Sequence, residues 1–184
     1  GDFHWDGMRS NTELISQNPT AEYGKVLAIN INTGAAHILS MGHRNMQGIV
    51  LDPQHGLIVA EHGPRGGDEL NLVREGANYG WPYETYGTTY ERLRIPSATS
   101  FGRHDNYEAP LLSWVPSVGI SAITRIQGFH EAWDGDLLAG SLIGQSLFRI
   151  RFQGDHVVYA EPIRVGARIR DVHQHTDGRL VLLT

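Results

Sequence analysis

Three groups of side chains capable of chemistry lie within residues 42–82. The first is residues 42–48 (GHRNMQG), where a guanidinium, an imidazole and two amides stand between glycines. The second is residues 61–69 (EHGPRGGDE), where carboxylates flank a glycine-rich turn, and the third is the aromatic run 78–82 (NYGWP). Guanidinium and amide groups bind anions and carbonyl oxygens, whereas carboxylates and outward-facing carbonyls bind hard cations. The spacing predicts a polar binding site carried on loops.

Short apolar runs separate these groups and indicate the strands that position them. Residues 49–51, 57–60 and 70–73 are such runs, and residues 24–39 alternate around an Asn-Thr-Gly turn, which predicts a hairpin. The chain contains 22 glycines, many of them between apolar segments. Residues 83–110 lack periodicity and predict a long loop, either a functional insertion or an excursion over the surface. Short strands with frequent turns predict an all-β sandwich, barrel or propeller.

Composition excludes several classes of partner. The formal net charge of −5 over 184 residues argues against nucleic-acid binding, which needs a basic face. No polybasic run, no apolar run of membrane-spanning length and no signal-peptide pattern are present, so no membrane span is predicted. The absence of cysteine excludes disulfides and thiolate metal sites and leaves the compartment open.

Two segments of the chain resemble each other. Residues 49–59 and 172–182 share an apolar strand, a glycine turn and a second apolar strand, and residues 133–139 repeat the second half. The copies are separated by roughly 40–80 residues, within a factor of two of the roughly 40–50 residues of known propeller blades. Three unrelated hairpins are the alternative. If each blade takes about 60 residues, the chain holds about three, too few for a closed ring.

Six ordered motifs between Gly42 and Thr184 resemble one known family. They are GHRNMQG, EHGPRGGDELNL, GANYGWP, WVPSVGIS, DGDLLAGSL and RIRDV. Together they are similar to the soluble aldose sugar dehydrogenases that depend on pyrroloquinoline quinone (PQQ), the glucose/sorbosone dehydrogenase family. The resemblance implies a six-bladed β-propeller, of which residues 1–184 would form about three to four blades, truncated at the N-terminus.

The resemblance implies an activity and a set of cofactor contacts. These enzymes oxidise a small-molecule aldose at C1 to the lactone and pass electrons from PQQ to an external acceptor, a quinone or cytochrome, in the periplasm or outside the cell. Arg44, Asn45, Arg168 and Arg170 match cofactor-binding positions. Two arginines at i and i+2 of a strand share one face and suit a tricarboxylate between them. The alternatives are that Arg44 only holds loop carbonyls in place and that Arg168 and Arg170 lie on a solvent-exposed edge strand. Gln47 either supports the cofactor contacts or holds its own turn.

The resemblance also implies two calcium ions. The backbone carbonyls of Gly63 and Pro64 match the ligands of the cofactor calcium, and Glu69 and Tyr79 match a second, structural ion. Calcium takes carbonyl and carboxylate oxygens, which this turn supplies. The alternatives are a metal-free glycine turn, a surface carboxylate at Glu69 and a packed aromatic ring at Tyr79.

Two departures from the family pattern limit the predicted activity. The family's general base is a histidine upstream of Gly1; His4, His43 and His62 do not match it, and His43 is predicted to make structural hydrogen bonds. A cofactor-binding lysine of the family is replaced by Ile143. We therefore expect this chain alone to be inactive, with no catalytic residue of its own.

A second function stays open beside the enzyme. The fold and its calcium could serve a non-catalytic module that binds a sugar or a protein partner. In either case a partial propeller exposes strand edges and inner faces, so we expect poor stability or association into a homo-oligomer.

Overall fold

The structure, a computed structural model, describes residues 14–184, and its regular secondary structure consists almost entirely of β-strands. Two single-turn 3-10 helices span Ile15–Gln17 and Glu131–Trp133. The strands are β1 (Val26–Ile29), β2 (Ala36–Met41), β3 (Met46–Asp52), β4 (Gly56–Glu61), β5 (Asp68–Leu72), β6 (Ala77–Asn78), β7 (Glu84–Thr85), β8 (Ser100–Phe101), β9 (Leu112–Trp114), β10 (Ile120–Arg125), β11 (Leu137–Ser141), β12 (Ser146–Gln153), β13 (His156–Arg164), β14 (Asp171–Gln174) and β15 (Leu180–Leu183).

The strands form successive antiparallel blades of a propeller, as predicted. Two blades have four strands each, in the orders β3-β4-β5-β9 and β10-β11-β12-β13. The hairpin β14-β15 begins a further blade, and β1 and β2 form a hairpin that β6 joins in parallel. The described residues thus make about three to four blades, counting partial ones. Loop-rich residues 83–110 hold only the two-residue strands β7 and β8, in agreement with the prediction.

The first strands of successive blades run parallel, so their beginnings meet at one end. Near the start of β3, Gly48 lies against Ser121 of β10, and at the strand ends Asp52 pairs with Arg125. Ser121 donates to the carbonyl of Ile169 at 2.8 Å, just before β14, while Gln174 at the end of β14 reaches residue 127. Residues 44–46, 118–120 and 168–170 therefore lie at the same end of the array, hereafter the entry end.

Glycine is required where two blades approach most closely. A Cβ on Gly48 would lie 2.6 Å from the carbonyl oxygen of Ser121 and 2.8 Å from the nitrogen of Ile123. Contacts this short do not occur with real side chains, so a larger residue would separate β3 from β10. The main core fills the space beside this contact with fully buried aliphatic residues, which contribute about 1.5–3 kcal/mol each; they include Ile58, Leu70, Ile120, Leu137 and Ile150.

Some apolar side chains of β3 and β15 remain exposed. Ile49 and Leu51 of β3 are 59% and 73% exposed, and Val181 and Leu183 of β15 are 51% and 60% exposed. Clustered exposure of this kind marks surfaces that pack against other protein. Among residues 14–184, no helix has the length and apolar character needed to cross a bilayer.

Candidate functional site at the entry end

Arg44 is held rigidly where the chain enters β3. Its backbone N–H donates to Glu61 at 2.7 Å, and one guanidinium nitrogen donates to the carbonyls of His62 at 3.0 Å and Gly63 at 2.8 Å. The guanidinium also lies 5.2 Å from the ring centroid of Trp81. Its Nε is buried and has no hydrogen-bond partner among residues 14–184. A buried, unpaired cationic N–H is costly, so it marks a place where a ligand acceptor would be stabilised.

A buried carboxylate, Glu61, anchors this loop. It accepts from His43 Nδ1 at 2.9 Å, from the Arg44 amide at 2.7 Å and from Asn71 Nδ2 at 2.7 Å. Burial alone would raise the pKa of Glu61, but the His43 charge and these hydrogen bonds outweigh it and lower that pKa. Sequence analysis located Glu61 beside the glycine-rich turn but did not predict that it anchors the Arg44 loop, because its hydrogen-bond partners are 10 to 18 residues away in the chain.

His43 has the partners of a catalytic triad but no access to substrate. Its Nε2 contacts Ser40 Oγ at 2.8 Å and its Nδ1 contacts Glu61, the order found in serine hydrolases. His43 is 0% exposed and Ser40 is 1% exposed, and the imidazole stacks on Tyr79 with centroids 4.4 Å apart. Buried groups cannot attack a substrate, so the prediction of a structural His43 is confirmed.

The glycine-rich turn is held by Asp68, a residue that sequence analysis missed. Asp68 is 1% exposed, and its Oδ2 accepts from the amides of Val118, Gly119 and Ile120 at 3.0, 2.6 and 3.1 Å. Its Oδ1 accepts from Gly63 N at 3.1 Å. One carboxylate therefore joins the turn of one blade to the entry loop of the next.

Further hydrogen bonds extend this link to the arginine pair. Ser141 donates to the carbonyl of Val118 at 2.6 Å, and Ile169 N donates to the carbonyl of Ser141 at 3.1 Å. Arg168 and Arg170 are exposed on either side of the buried Ile169. The prediction that they lie on a strand is wrong, because β14 begins at Asp171; the exposure of the three residues nevertheless alternates as expected. Within residues 14–184, neither guanidinium has an ion-pair partner.

Asn45 and Ile143 occupy the same end but differ in their surroundings. Asn45 is 8% exposed; its backbone carbonyl accepts from His62 N at 2.9 Å and its side-chain oxygen accepts from Gln47 at 2.9 Å. Gln47 therefore holds the turn, one of its two predicted roles. Ile143 is 66% exposed, and its amide donates to the carbonyl of Val118 at 2.9 Å. An exposed apolar side chain thus stands beside the entry loop of β10.

A small polar cavity collects most of the residues predicted at the turn. Its volume is about 10 Å³, enough for one water-sized occupant. Among the predicted residues, the ones that line it are Arg44, Gly63, Pro64, Glu69 and Tyr79. Asn45, Arg168 and Arg170 do not line it. The predicted residues therefore fall into two groups. One group lines the cavity at the glycine-rich turn, and the other, Asn45, Arg168 and Arg170, lies outside the cavity on neighbouring entry loops.

The carboxylate of Glu69 is in an environment that favours a cation or a proton. Burial raises its pKa well above the ordinary value, and repulsion from Glu61 and Asp68 adds to this, while a hydrogen bond from Asn71 opposes it. The Tyr79 hydroxyl donates to the Leu72 carbonyl and accepts from Arg74 N, so it is already engaged. Among residues 14–184, no cluster of three or more histidine or acidic side chains has metal-binding geometry.

The fold and this site define the class: a β-propeller protein whose polar site is built from the loops entering its inner strands. The glucose/sorbosone dehydrogenase family model matches residues 7–184, so the chain belongs to that family. It is 38% identical over 154 residues to the aldose sugar dehydrogenase YliI of Escherichia coli (strain K12), covering 81% of this chain and 41% of that protein.

Solved structures agree with this family assignment. A crystal structure of a glucose dehydrogenase superimposes with a TM-score of 0.84 at 36% identity, covering 94% of this chain and 54% of that one. The PQQ-bound aldose sugar dehydrogenase from Streptomyces coelicolor gives a TM-score of 0.62 at 27% identity, covering 89% of this chain and 46% of that one. The chain thus spans about half the length of the relatives it matches.

Proposed function

We propose that this chain supplies part of a PQQ-dependent active site that oxidises an aldose at C1 to its lactone. The observation that carries the proposal is Arg44, buried beside the Gly63 carbonyl with its Nε unpaired. Such a group is suited to a quinone or carboxylate oxygen. Arg168 and Arg170, exposed at the same end without ion-pair partners among the described residues, offer forked donors to further carboxylates.

Calcium is the second component of the proposal. The Gly63 carbonyl accepts a hydrogen bond from the Arg44 guanidinium at 2.8 Å, and both Gly63 and Pro64 line the small cavity. These carbonyls fit a hard cation, and Gly63 and Pro64 would hold it. Bound there with the quinone, the ion would polarise the reactive carbonyl as a Lewis acid. A second ion would lie at Glu69, with Tyr79 contributing through its backbone, since its hydroxyl is engaged.

The described residues contribute binding and orientation to this reaction. Asp68 and Glu61 hold the turn and Arg44 in place, so the donors are positioned before a ligand arrives. We place the general base in the remainder of the propeller, and the electron acceptor, a quinone or cytochrome, outside it. By analogy with the family, we place the protein in the periplasm or outside the cell.

One observation favours a second function. Ile143 exposes an apolar surface where the family pattern has a cofactor-binding lysine, which would weaken cofactor binding. The alternative is a non-catalytic propeller that keeps calcium and binds a sugar or protein partner.

A PQQ titration distinguishes these two functions. Quenching of tryptophan fluorescence would be followed with calcium and then with chelator, for the unmodified chain, Arg168→Ala and Arg170→Ala. We expect calcium-dependent saturation that weakens about tenfold in each variant, the loss of one charged hydrogen bond. The matched control is Arg179→Ala, an exposed arginine in the β14-β15 turn, at the opposite end of the same hairpin.

The two results have different meanings. Equal binding by all four proteins would refute the cofactor role of the arginine pair. Calcium binding without PQQ binding would favour the non-catalytic module.

A further inference from the structure

The arginines of the described chain fall into two classes according to their partners. The members of the first class form ion pairs with carboxylates: Arg74, Arg103, Arg125, Arg149, Arg151 and Arg179. The members of the second class have no carboxylate partner among residues 14–184: Arg44, Arg65, Arg92, Arg94, Arg164, Arg168 and Arg170. An exposed arginine of the second class remains available to an anionic group from outside the chain.

The second class lies at the entry end. Arg65 is in the glycine-rich turn that follows β4, at the end where β3 begins. Arg164 ends β13, where β12 begins, beside the end of β11 that pairs with Ile120. Thr88 exchanges two backbone hydrogen bonds of 3.0 Å with Arg65, which brings residues 88–94 to the same end. Cations therefore gather at one end of a chain whose formal net charge is −5.

Exposed carboxylates without ion pairs occupy the opposite end, in turns of the β10-β13 blade. They are Glu131, Asp134 and Asp155. The entry end exposes the carboxylates of Glu91 and Asp171, fewer than its arginines. The described part of the chain is thus electrically polar, positive at the entry end. Such a distribution attracts an acidic partner to the entry end and repels it from the other.

Apolar side chains stand among these exposed arginines. Val115, Ile143 and Val165 are 64%, 66% and 40% exposed. Val115 packs beside the glycine-rich turn, since a Cβ on Gly66 would lie 4.0 Å from Val115 Cγ1. The amide of Val165 donates to the carbonyl of Gln145 at 3.1 Å, in the β11-β12 turn that also holds Ile143.

These residues together are named the arginine face: Arg65, Val115, Ile143, Arg164, Val165, Arg168 and Arg170. Arginine is enriched in protein–protein interfaces, and apolar atoms surrounded by charged groups are their usual arrangement. An anionic membrane suits the face less well, because the face as defined contains no aromatic side chain to insert at the lipid boundary.

We propose that the arginine face is the docking surface for a redox protein with an acidic surface, which serves as the external electron acceptor. The inference rests on the proposed function, because the acceptor has to approach the end at which the cofactor is placed. Oxidation of one aldose to its lactone releases two electrons and two protons. Two one-electron acceptor molecules take the electrons in turn, and the protons pass to water. Transient redox interfaces are small and depend on electrostatic attraction.

Two haem proteins of opposite charge test this docking surface. Surface plasmon resonance, without PQQ, would compare the binding of acidic cytochrome b5 and basic cytochrome c to the chain. We expect cytochrome b5 to bind, at least about tenfold more weakly when salt rises from about 20 to about 200 mM, and cytochrome c not to bind. Arg65→Glu and Arg164→Glu should each weaken cytochrome b5 binding about tenfold.

The matched control is Arg179→Glu, which changes the net charge equally at the opposite end of the array and should change the affinity less than about twofold. Arg65 and Arg164 are exposed, so both variants should keep the fold, which circular dichroism checks. An equal loss in Arg179→Glu would overturn the proposal, because net charge alone would then attract the partner. Binding of cytochrome b5 that is absent or independent of salt, or tighter binding of cytochrome c, would overturn it as well.

Vesicles containing phosphatidylserine are the third probe, and we expect the chain not to bind them. Binding to these vesicles but not to cytochrome b5 would assign the face to a membrane and overturn the proposal. Because the assay contains no PQQ, the two proposals fail in different ways. A successful PQQ titration without cytochrome b5 binding would refute the docking surface alone. Cytochrome b5 binding with a failed PQQ titration would support the docking surface and count against the cofactor site.

Discussion

Replacing Asp68 by asparagine tests whether one buried carboxylate joins two blades. Asp68 accepts four backbone amides, three at Oδ2 over 2.6–3.1 Å and one at Oδ1 at 3.1 Å. Hydrogen bonds to a charged group contribute about 1.5–3 kcal/mol, against about 0.5–1.5 kcal/mol for neutral pairs. Asp68→Asn therefore weakens three bonds by about 1 kcal/mol each and leaves the Gly63 amide facing an NH₂ group, at about 1 kcal/mol more.

The expected loss is about 4 kcal/mol in the free energy of unfolding, a large part of the total for an ordinary domain. Urea unfolding followed by tryptophan fluorescence measures this loss, and one of the four tryptophans, Trp114, lies beside the change, since its carbonyl accepts from Gly67 N at 2.9 Å. The matched control is Asp155→Asn, in an exposed hairpin turn, where a change below about 0.5 kcal/mol is expected.

The same variant should also lose cofactor binding, because Gly63 would no longer be held beside Arg44. If Asp68→Asn lowered the free energy of unfolding by less than about 1 kcal/mol, the reasoning would be refuted, because water would then replace the hydrogen bonds of the carboxylate at almost no cost. A large fall with unchanged PQQ affinity would separate the stability of the turn from its binding role.

Three further predictions concern other parts of the molecule. Burial would raise the pKa of Asp52, but amide hydrogen bonds and the ion pair with Arg125 lower it below 3.8. The ionised Asp52 therefore stabilises the fold above that pH, and this contribution is lost as the pH falls. Asp52→Asn should consequently make the free energy of unfolding less dependent on pH in the acid range. Ile143→Lys adds a cation at the entry end and should raise PQQ affinity about tenfold, whereas Val158→Lys, an exposed control, should not. Leu51→Glu places a charge on the exposed face of β3 and should reduce self-association in analytical ultracentrifugation.

Each of these has a clear contrary outcome. If Asp52→Asn leaves the pH dependence of the unfolding free energy unchanged, the pKa of Asp52 is the same in the folded and the unfolded chain. Equal PQQ affinity in both lysine variants would remove the Ile143 position from the cofactor site. A chain that stays monomeric at every concentration before mutation would refute the prediction of a homo-oligomer.

Local patterns predicted the elements well because their causes are local. Alternation around the Asn-Thr-Gly turn gave the β1-β2 hairpin, and the glycine turn at residue 56 gave β3-β4. The internal repeat also has a structural counterpart. Residues 49–59 and 172–182 fall on the β3-β4 and β14-β15 hairpins, and residues 133–139 lead into β11, a second strand of its blade. The period-2 alternation also matches the exposure of Arg168 and Arg170 around the buried Ile169, even though the segment is outside the strand.

Strand periodicity and glycine turns act over a few residues, so local patterns in the chain predicted most of the strands, the turns, the family and the residues on the entry loops, although not the start of β14. Only the tertiary structure decided that Asp68 accepts from residues 118–120, that Glu61 anchors Arg44 and that His104 faces Glu69. Each of these pairs joins segments that are well separated in the chain. A buried polar group takes the partner that packing brings to it, and no local pattern records that partner.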